Sequence, residues 1–186
     1  MMAVMRYPEG HKEAVRDRIV SAASEALRRH GLKGVSIPAL MKQVGLTHGG
    51  FYAHFEDREE LVAEAVRSAG DATAQTVLGD QLSLEESLYL YLSDEHLEHP
   101  EQGCVLAALG PEGPRQSAPV RRAFAEVARD FVGIIERKLN PRKTGRFSDE
   151  ALLRAATMIG AVVLGRLLDE TTARRLLAAA RKPTLL

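Results

Sequence analysis

Apolar residues recur at helical spacing in one segment of the sequence after another. The first stripe runs from Val15 through Ile19 to Leu27, which is the spacing of one face of an α-helix. Strand-like alternation bounded by hairpin turns is absent from the sequence. The chain has 186 residues, of which 45% are hydrophobic, so it is long enough to bury a core. The sequence therefore predicts an all-α fold.

Helix boundaries are marked by capping residues and glycines. Gly45 ends the second predicted helix, and Thr47 can cap the third. Capping-box spacing recurs at residues 57–60 and 83–86, and Pro100 closes the helix that starts at the second of these boxes. Helices are predicted over about 11–30, 37–44, 48–54, from 57, over 83–100, 119–139, from 149 and over 170–181, with a Pro- and Gly-containing loop over 110–119.

Charge and cysteine content restrict the class of protein. The 25 basic and 25 acidic side chains balance, so affinity for a polyanion must come from local placement of charge. The single cysteine, Cys104, cannot form an intramolecular disulfide, which favours a cytoplasmic location. Residues 1–10 lack the apolar core of a secretory signal, and the uncharged stretch 155–165 is shorter than the roughly 20 residues of a membrane span. No cofactor motif or metal site is predicted.

Residues 35–58 predict two short helices joined by a tight turn at 45–46, which is the layout of a helix-turn-helix. Phe51 and Phe55 are expected to pack inward and to fix the angle between the two helices. The outer face would then present polar, small or flat groups, which suit close approach to a base edge or a phosphate. These groups are Thr47, His48, Gly49, Gly50, Tyr52 and His54.

Residues from about 15 to 66 resemble the N-terminal DNA-binding domain of TetR-type repressors. The matching motifs are H-G-L-K-G at 30–34, S-I-P-A-L at 36–40, V-G-L-T-H-G-G-F-Y-A-H-F at 44–55 and D-R-E-E-L at 57–61. The resemblance implies an N-terminal helix-turn-helix DNA-binding domain (11–56) and a C-terminal helical domain for effector binding and dimerisation (57–186). The C-terminal part fits at the level of an all-helical domain, with a G-C-V-L segment at 103–106 like that of some relatives.

The resemblance also implies the residues that contact DNA. Thr47 and His48 would lie near a base edge or phosphate, and Arg58 would meet a phosphate beside a helix N-terminus. The full implied set is Ser36, Thr47, His48, Gly49, Tyr52, His54 and Arg58.

Three positions depart from the family pattern. Val35 stands where relatives often carry a phosphate-binding threonine, Pro38 where many carry a basic or polar residue, and His48 where lysine is frequent. The operator sequence is therefore not predictable. Two interpretations of the basic residues in the first helix stay open, additional contact with DNA or a solvated face. These residues are Lys12, Arg16 and Arg18.

The C-terminal part is expected to supply a dimer interface and an effector pocket. A dimer would place two helix-turn-helix units on successive half-sites of a palindromic operator. Its predicted interface is Leu152, Ala155, Ala156, Ile159, Val162, Val163, Leu167, Leu176 and Leu177; the alternative is a helix buried in its own subunit. A mostly apolar pocket predicts a hydrophobic or aromatic effector. Its predicted lining is Leu88, Tyr91, Leu92, Cys104, Leu106, Phe124, Phe131 and Met158.

Other functions stay open at the level of sequence. Cys104 is either a redox- or electrophile-sensing thiol near a helix start or a buried inert one. A nucleophile–base pair or a metal site built on Cys104 with His96 or His99 lacks any supporting motif. A helical protein-interaction adaptor or an activator would share the fold. The favoured prediction is a non-enzymatic, ligand-responsive repressor.

Overall fold

The computed structural model describes residues 10–182, and within that range the chain forms helices and no strand, which confirms the all-α prediction. The expectation about a secretory signal concerns residues that lie almost entirely outside this range. The described α-helices are α1 His11–His30, α2 Ile37–Gln43, α3 Arg58–Gln75, α4 Leu84–Tyr91, α5 Asp94–Glu98, α6 Val105–Leu109, α7 Ala118–Leu139, α8 Asp149–Gly165 and α9 Glu170–Ala180. Two 3₁₀ helices lie between them, η1 His48–Ala53 and η2 Gly110–Arg115.

Side-chain caps start the helices where the sequence predicts them. Asp57 accepts a hydrogen bond from the Glu60 N–H at 2.8 Å, and Ser83 and Glu86 form a reciprocal capping box. The helix predicted over 83–100 is wrong as a single element, because Ser93 caps a separate helix, α5. The segment predicted as a loop over 110–119 contains η2.

The N-terminal unit consists of α1, α2 and η1 packed around buried aromatic and aliphatic side chains. Gly45 connects α2 to η1 with a φ of +74°, a left-handed conformation that favours glycine. The long helix α3 packs against both α1 and α7. It therefore connects the N-terminal unit to the rest of the molecule.

The C-terminal helices pack around α7. Phe124, Phe131 and Ile135 lie on its buried face, and α8 packs against α7 and α9. The core is continuous with that of the N-terminal unit. A membrane-spanning helix is not found among residues 10–182, whose helices are too short or too polar for that.

Candidate DNA interface, cavities and exposed apolar face

Two buried phenylalanines hold η1 against the N-terminal unit. Phe51 and Phe55 are almost fully buried, and their rings stack with centroids 5.3 Å apart. The sequence predicts a helix here, and the structure has a 3₁₀ helix of six residues, a tighter form that occurs mainly in short segments. The anchoring by burial fixes which side of η1 faces solvent.

The solvent side of η1 carries polar and flat groups. Tyr52 is 64% exposed, and its ring meets that of His48 edge to face at 5.9 Å. Thr47 caps η1 by accepting the Gly50 N–H at 3.3 Å, so its hydroxyl lies at the start of the element. An added Cβ on Gly49 meets nothing within 4 Å. The open space at Gly49 leaves the backbone accessible from outside.

Two residues of the implied DNA-binding set are engaged inside the protein. His54 is half-buried, its Nδ1 is buried without a hydrogen-bond partner among residues 10–182, and burial lowers its pKa below the ordinary value. Arg58 donates a hydrogen bond to the backbone oxygen of Leu32 and lies 3.6 Å from the carboxylate of Glu59. In this arrangement neither side chain projects a free positive charge, which differs from the backbone-contacting role that the family pattern implies.

Arg16 is a structural residue of this region. Its guanidinium bonds to Glu60 at 2.7 Å, to Glu64 and to the backbone oxygen of His54, and it lies 4.2 Å from the centroid of the Phe55 ring. It therefore joins α1, the end of η1 and α3. Arg16 therefore fits neither interpretation offered from the sequence, contact with DNA or a solvated face, because its charge is paired and only 28% of its side chain is exposed.

The other basic residues of α1 and the cap of α2 remain near the surface. Lys12 is exposed, and Arg18 donates to the backbone oxygen of Val44 at 3.0 Å. Ser36 caps α2 by accepting the Ala39 N–H at 3.4 Å and is exposed beside Pro38. Lys12 and Ser36 are therefore accessible from solvent.

The residues predicted to form one effector pocket are divided between two cavities and the core. A cavity of about 30 Å³ between α3 and α7 is lined by Cys104 and Phe131, among others. A larger groove of about 330 Å³ between η2 and α7 is lined by Leu106 and Phe124, among others. The remaining predicted residues line neither of these cavities and pack in the core. They are Leu88, Tyr91, Leu92 and Met158.

Cys104 lies in a buried polar cluster. Both ring nitrogens of His96 have hydrogen-bond partners. Nδ1 lies 2.6 Å from the Tyr91 backbone oxygen, and Nε2 accepts the Cys104 N–H at 2.9 Å. Burial lowers the pKa of His96 to about 4. Burial also raises the pKa of the Cys104 thiol, beside the Tyr91 hydroxyl. These shifts keep both groups neutral near pH 7, and an inert buried thiol is the arrangement least suited to sensing or nucleophilic chemistry.

The predicted dimer interface contains both buried and exposed residues. Ala155, Val162 and Leu177 are buried inside the protomer, where α8 packs against α7 and α9 of the same chain, so that part of the prediction is corrected. The rest are exposed or half-buried: Leu152, Ala156, Ile159, Val163, Leu167 and Leu176.

Three further leucines on the same stretch are exposed and were missed from the sequence. They are Leu153, Leu164 and Leu168. Leu153 and Leu164 lie in α8 and Leu168 follows its end, and the sequence does not show which side of α8 faces its own core. The exposed leucines make one apolar face along α8 and the segment that follows it.

The N-terminal unit is also attached to the segment 101–112. Arg28 is buried and donates to the backbone oxygen of Glu101 at 2.7 Å, while Arg29 pairs with the Glu101 carboxylate at 3.0 Å. Glu112 accepts the Leu32 N–H at 3.2 Å. These contacts join residues 70 to 80 positions apart, and no local sequence signal indicates them.

Comparison with known proteins agrees with this architecture. Residues 19–65 match the family model for bacterial regulatory proteins of the tetR family. The HTH-type transcriptional regulator LmrA of Bacillus subtilis (strain 168) is 28% identical over 171 residues, which cover 86% of this chain and 87% of that protein.

Solved structures share the fold over nearly the whole chain. Reduced NemR of E. coli has a TM-score of 0.72 at 14% identity, covering 93% of this chain and 100% of that one. A TetR family regulator of Cytophaga hutchinsonii has a TM-score of 0.71 at 18% identity, covering 94% and 95%. Together with the exposed η1 face, these matches show that residues 19–65 are similar to the DNA-binding domain of the tetR family and that the chain as a whole is similar to a helix-turn-helix transcriptional regulator.

Proposed function

We propose that the protein is a homodimeric repressor that binds a palindromic operator and is released by a small apolar effector. The proposal assigns DNA binding to residues 11–56, and effector binding and dimerisation to residues 57–186. The observation that carries it is that η1 has one buried apolar side and one exposed polar side. Phe51 and Phe55 anchor the inner side, which leaves Thr47, His48 and Tyr52 as an exposed polar outer side.

The outer side of η1 is suited to the major groove of DNA. Thr47 and His48 offer donors and acceptors at the start of η1, and Tyr52 offers a hydroxyl to a phosphate. The open backbone at Gly49 permits close approach. We propose that DNA is contacted by Ser36, Thr47, His48, Gly49 and Tyr52, with Arg58 and His54 supporting their positions.

The exposed apolar face supports the proposed homodimer. Leu164 and Leu167 are 52% and 78% exposed, on a segment where Leu152 and Leu168 are exposed too. Contiguous exposed apolar patches mark interaction sites in soluble proteins. A second copy packed on this face would make an isologous interface, which would pair two η1 elements for half-sites about 34–36 Å apart.

The groove beside η2 supports an effector-responsive regulator. At about 330 Å³ it lies at the low end of ligand-pocket volumes. Its lining is mostly apolar, which favours an apolar ligand. Because bacterial chromosomal DNA lies in the cytoplasm, the same proposal places the protein there, and it requires no catalytic activity.

Operator selection followed by titration tests the proposal. Purified protein selects duplexes from a random pool, and the enriched duplex is titrated at about 50 and 200 mM salt, where each neutralised phosphate contributes a log–log slope near −0.9. We expect a palindromic consensus, salt-dependent binding and two protomers, or a multiple of two, per site. Failure to enrich any sequence over the random pool would contradict the proposed function.

A further inference from the structure

The 3₁₀ helix η2 connects the two parts of the molecule through two contacts. Glu112 of η2 accepts the backbone N–H of Leu32, with 3.2 Å between Leu32 N and Oε2. Leu32 is fully buried and lies between α1 and α2. On the other side of η2, Gly113 lies flat against Phe124 of α7, where an added Cβ would come within 3.1 Å of two ring carbons. The residue of η2 that packs against α7 and the residue that binds the N-terminal unit are therefore adjacent in sequence.

The Leu32 peptide group is held from both sides. Its N–H is bound by Glu112, and its carbonyl oxygen accepts a hydrogen bond from Arg58 of α3. A buried N–H that loses its acceptor is destabilising, so the α1–α2 connection follows the position of η2. This connection leads directly into α2, which packs against η1. The position of η2 therefore bears on the orientation of the DNA-reading element.

The groove beside η2 shares a wall with this contact. Its lining residues are Leu106, Gly110, Gly113, Pro114, Arg121, Phe124, Ala125 and Ala128. Phe124 therefore both lines the groove and packs against Gly113. Among these eight described residues Arg121 alone is charged, and its guanidinium donates to the backbone oxygen of Gln116 at 2.9 Å, which holds it at the rim. An arginine at the rim of an apolar groove is complementary to a carboxylate on an apolar body.

We propose that this groove binds a small apolar carboxylic acid, and that binding displaces η2 from Phe124, withdraws Glu112 from Leu32 and weakens operator binding. The inference rests on the proposed function and adds the ligand class and the route by which the ligand acts. The ligand must bind the displaced arrangement more tightly than the seated one, since only differential affinity shifts such an equilibrium.

Gly113 and Gly133 provide a test and its control. Gly113→Ala adds a methyl group against the Phe124 ring, whereas the same change at Gly133, in α7 and outside the groove, makes only ordinary contacts at 3.6 Å or more. We expect Gly113→Ala to lower operator affinity tenfold or more and to accelerate hydrogen exchange of the Leu32 amide. Gly133→Ala should leave both within twofold. A folded Gly113→Ala protein with wild-type operator affinity and unchanged Leu32 amide exchange would refute the proposal that η2 acts on DNA binding through Leu32.

A pair of changes at Glu112 separates positioning from general destabilisation. Glu112→Gln keeps a carbonyl oxygen that can accept the Leu32 N–H, whereas Glu112→Ala does not. We expect Glu112→Ala to lower operator affinity at least fivefold and Glu112→Gln to restore it to within twofold of wild type. Equal affinities for the two variants, at matched thermal stability, would show that the hydrogen bond to Leu32 plays no part.

Octanoate and octylamine test the ligand class with equal apolar length and opposite charge. We expect octanoate to accelerate Leu32 amide exchange and to reduce operator affinity, and Arg121→Gln to weaken both effects at least fivefold. An equal or stronger effect of octylamine, or no effect of octanoate on Leu32 exchange, would refute the ligand class. Because Leu32 exchange is measured without DNA, it tests this inference separately; absence of operator binding by the wild-type protein would instead refute the proposed function.

Discussion

Tyr52 and Tyr89 are equally exposed, at 64% each, but lie on different elements, η1 and α4. This makes them a matched pair for the DNA interface. Tyr52→Ala should weaken operator binding about tenfold, the effect of losing roughly 1.4 kcal/mol of contact energy. Its thermal stability should change little, because an exposed side chain buries little surface. Fluorescence anisotropy with operator DNA measures the change, and Tyr89→Ala should retain wild-type affinity.

One outcome of the comparison between Tyr52→Ala and Tyr89→Ala would contradict this prediction. If Tyr52→Ala keeps operator affinity within twofold of wild type, the outer side of η1 is not the DNA-contacting surface. Equal losses for both tyrosines would indicate a general effect on folding.

His96 makes stability depend on pH in a defined window. Burial lowers its pKa from 6.5 to about 4 in the folded state, so the fold favours the neutral ring. Its contribution is therefore fully present above pH 6.5 and is lost as pH falls from 6.5 towards 4, where the unfolded chain binds the proton first. At about 1.36 kcal/mol per pH unit, the free energy of unfolding should fall by about 2 kcal/mol between pH 6.5 and 5.

Urea unfolding at pH 7 and pH 5 measures this dependence. The His96→Gln variant should lose most of the decrease in that interval, because it removes the group that titrates. His30→Gln, at an exposed position of α1, serves as the control and should behave as wild type. A wild-type slope in His96→Gln would assign the acid sensitivity to other residues.

At the residue scale, the sequence predicts burial better than it predicts the partners of long side chains. Phe51 and Phe55 are buried as expected from their apolar character. Arg16 and Arg58 are not predictable in the same way, since an arginine reaches several ångströms and can meet either DNA or the protein. Glu60 and Glu64 become partners of Arg16 only after α3 has packed against α1.

At the level of elements, Gly49 separates the stability of η1 from its function. The backbone of Gly49 does not have a positive φ, and an added Cβ meets nothing within 4 Å. Gly49→Ala should therefore stabilise the protein by about 0.4–1 kcal/mol, by restricting the unfolded chain. The methyl group would project where DNA is proposed to approach, so operator affinity should fall at least fivefold.

Thermal unfolding and operator titration of the same samples test whether Gly49→Ala gains stability while it loses operator affinity. Gly133→Ala, within α7 and away from η1, makes only ordinary contacts at 3.6 Å or more and should gain stability without loss of affinity. A Gly49→Ala protein that binds operator as tightly as wild type would show that the backbone there does not approach DNA closely.

Element boundaries were predictable where one local interaction decides them. Asp57 and Ser83 cap their helices as predicted, because a side-chain oxygen three residues before a free N–H is sufficient. The break between α4 and α5 was missed because the apolar pattern of Leu88, Tyr91 and Leu92 runs up to it and no glycine or proline marks it before Pro100. There the local hydrogen bonds of Ser93 override the periodicity.

For the whole molecule, connections between distant segments were outside the reach of sequence reasoning. Glu112 and Leu32 are 80 residues apart, and a glutamate in a Pro- and Gly-rich segment predicts only an exposed turn. Likewise, the apolar residues of α8 predict a helix with more than one buried side, but not which side faces the core. Val162 therefore looked like an interface residue although α8 buries it within the protomer.

The exposed apolar face yields a prediction about assembly. Leu167 is 78% exposed just beyond the end of α8, so Leu167→Glu should leave the protomer folded while it places a charge in the proposed dimer interface. A buried unpaired charge is strongly unfavourable, so the variant should sediment as a monomer at concentrations where the wild type is a dimer. Operator affinity should fall at least a hundredfold, because one helix-turn-helix unit reads a single half-site. Ala72→Glu, on the exposed side of α3, places the same charge away from α8 and α9 and should remain dimeric. A dimeric Leu167→Glu protein in analytical ultracentrifugation would move the interface to another surface of the molecule.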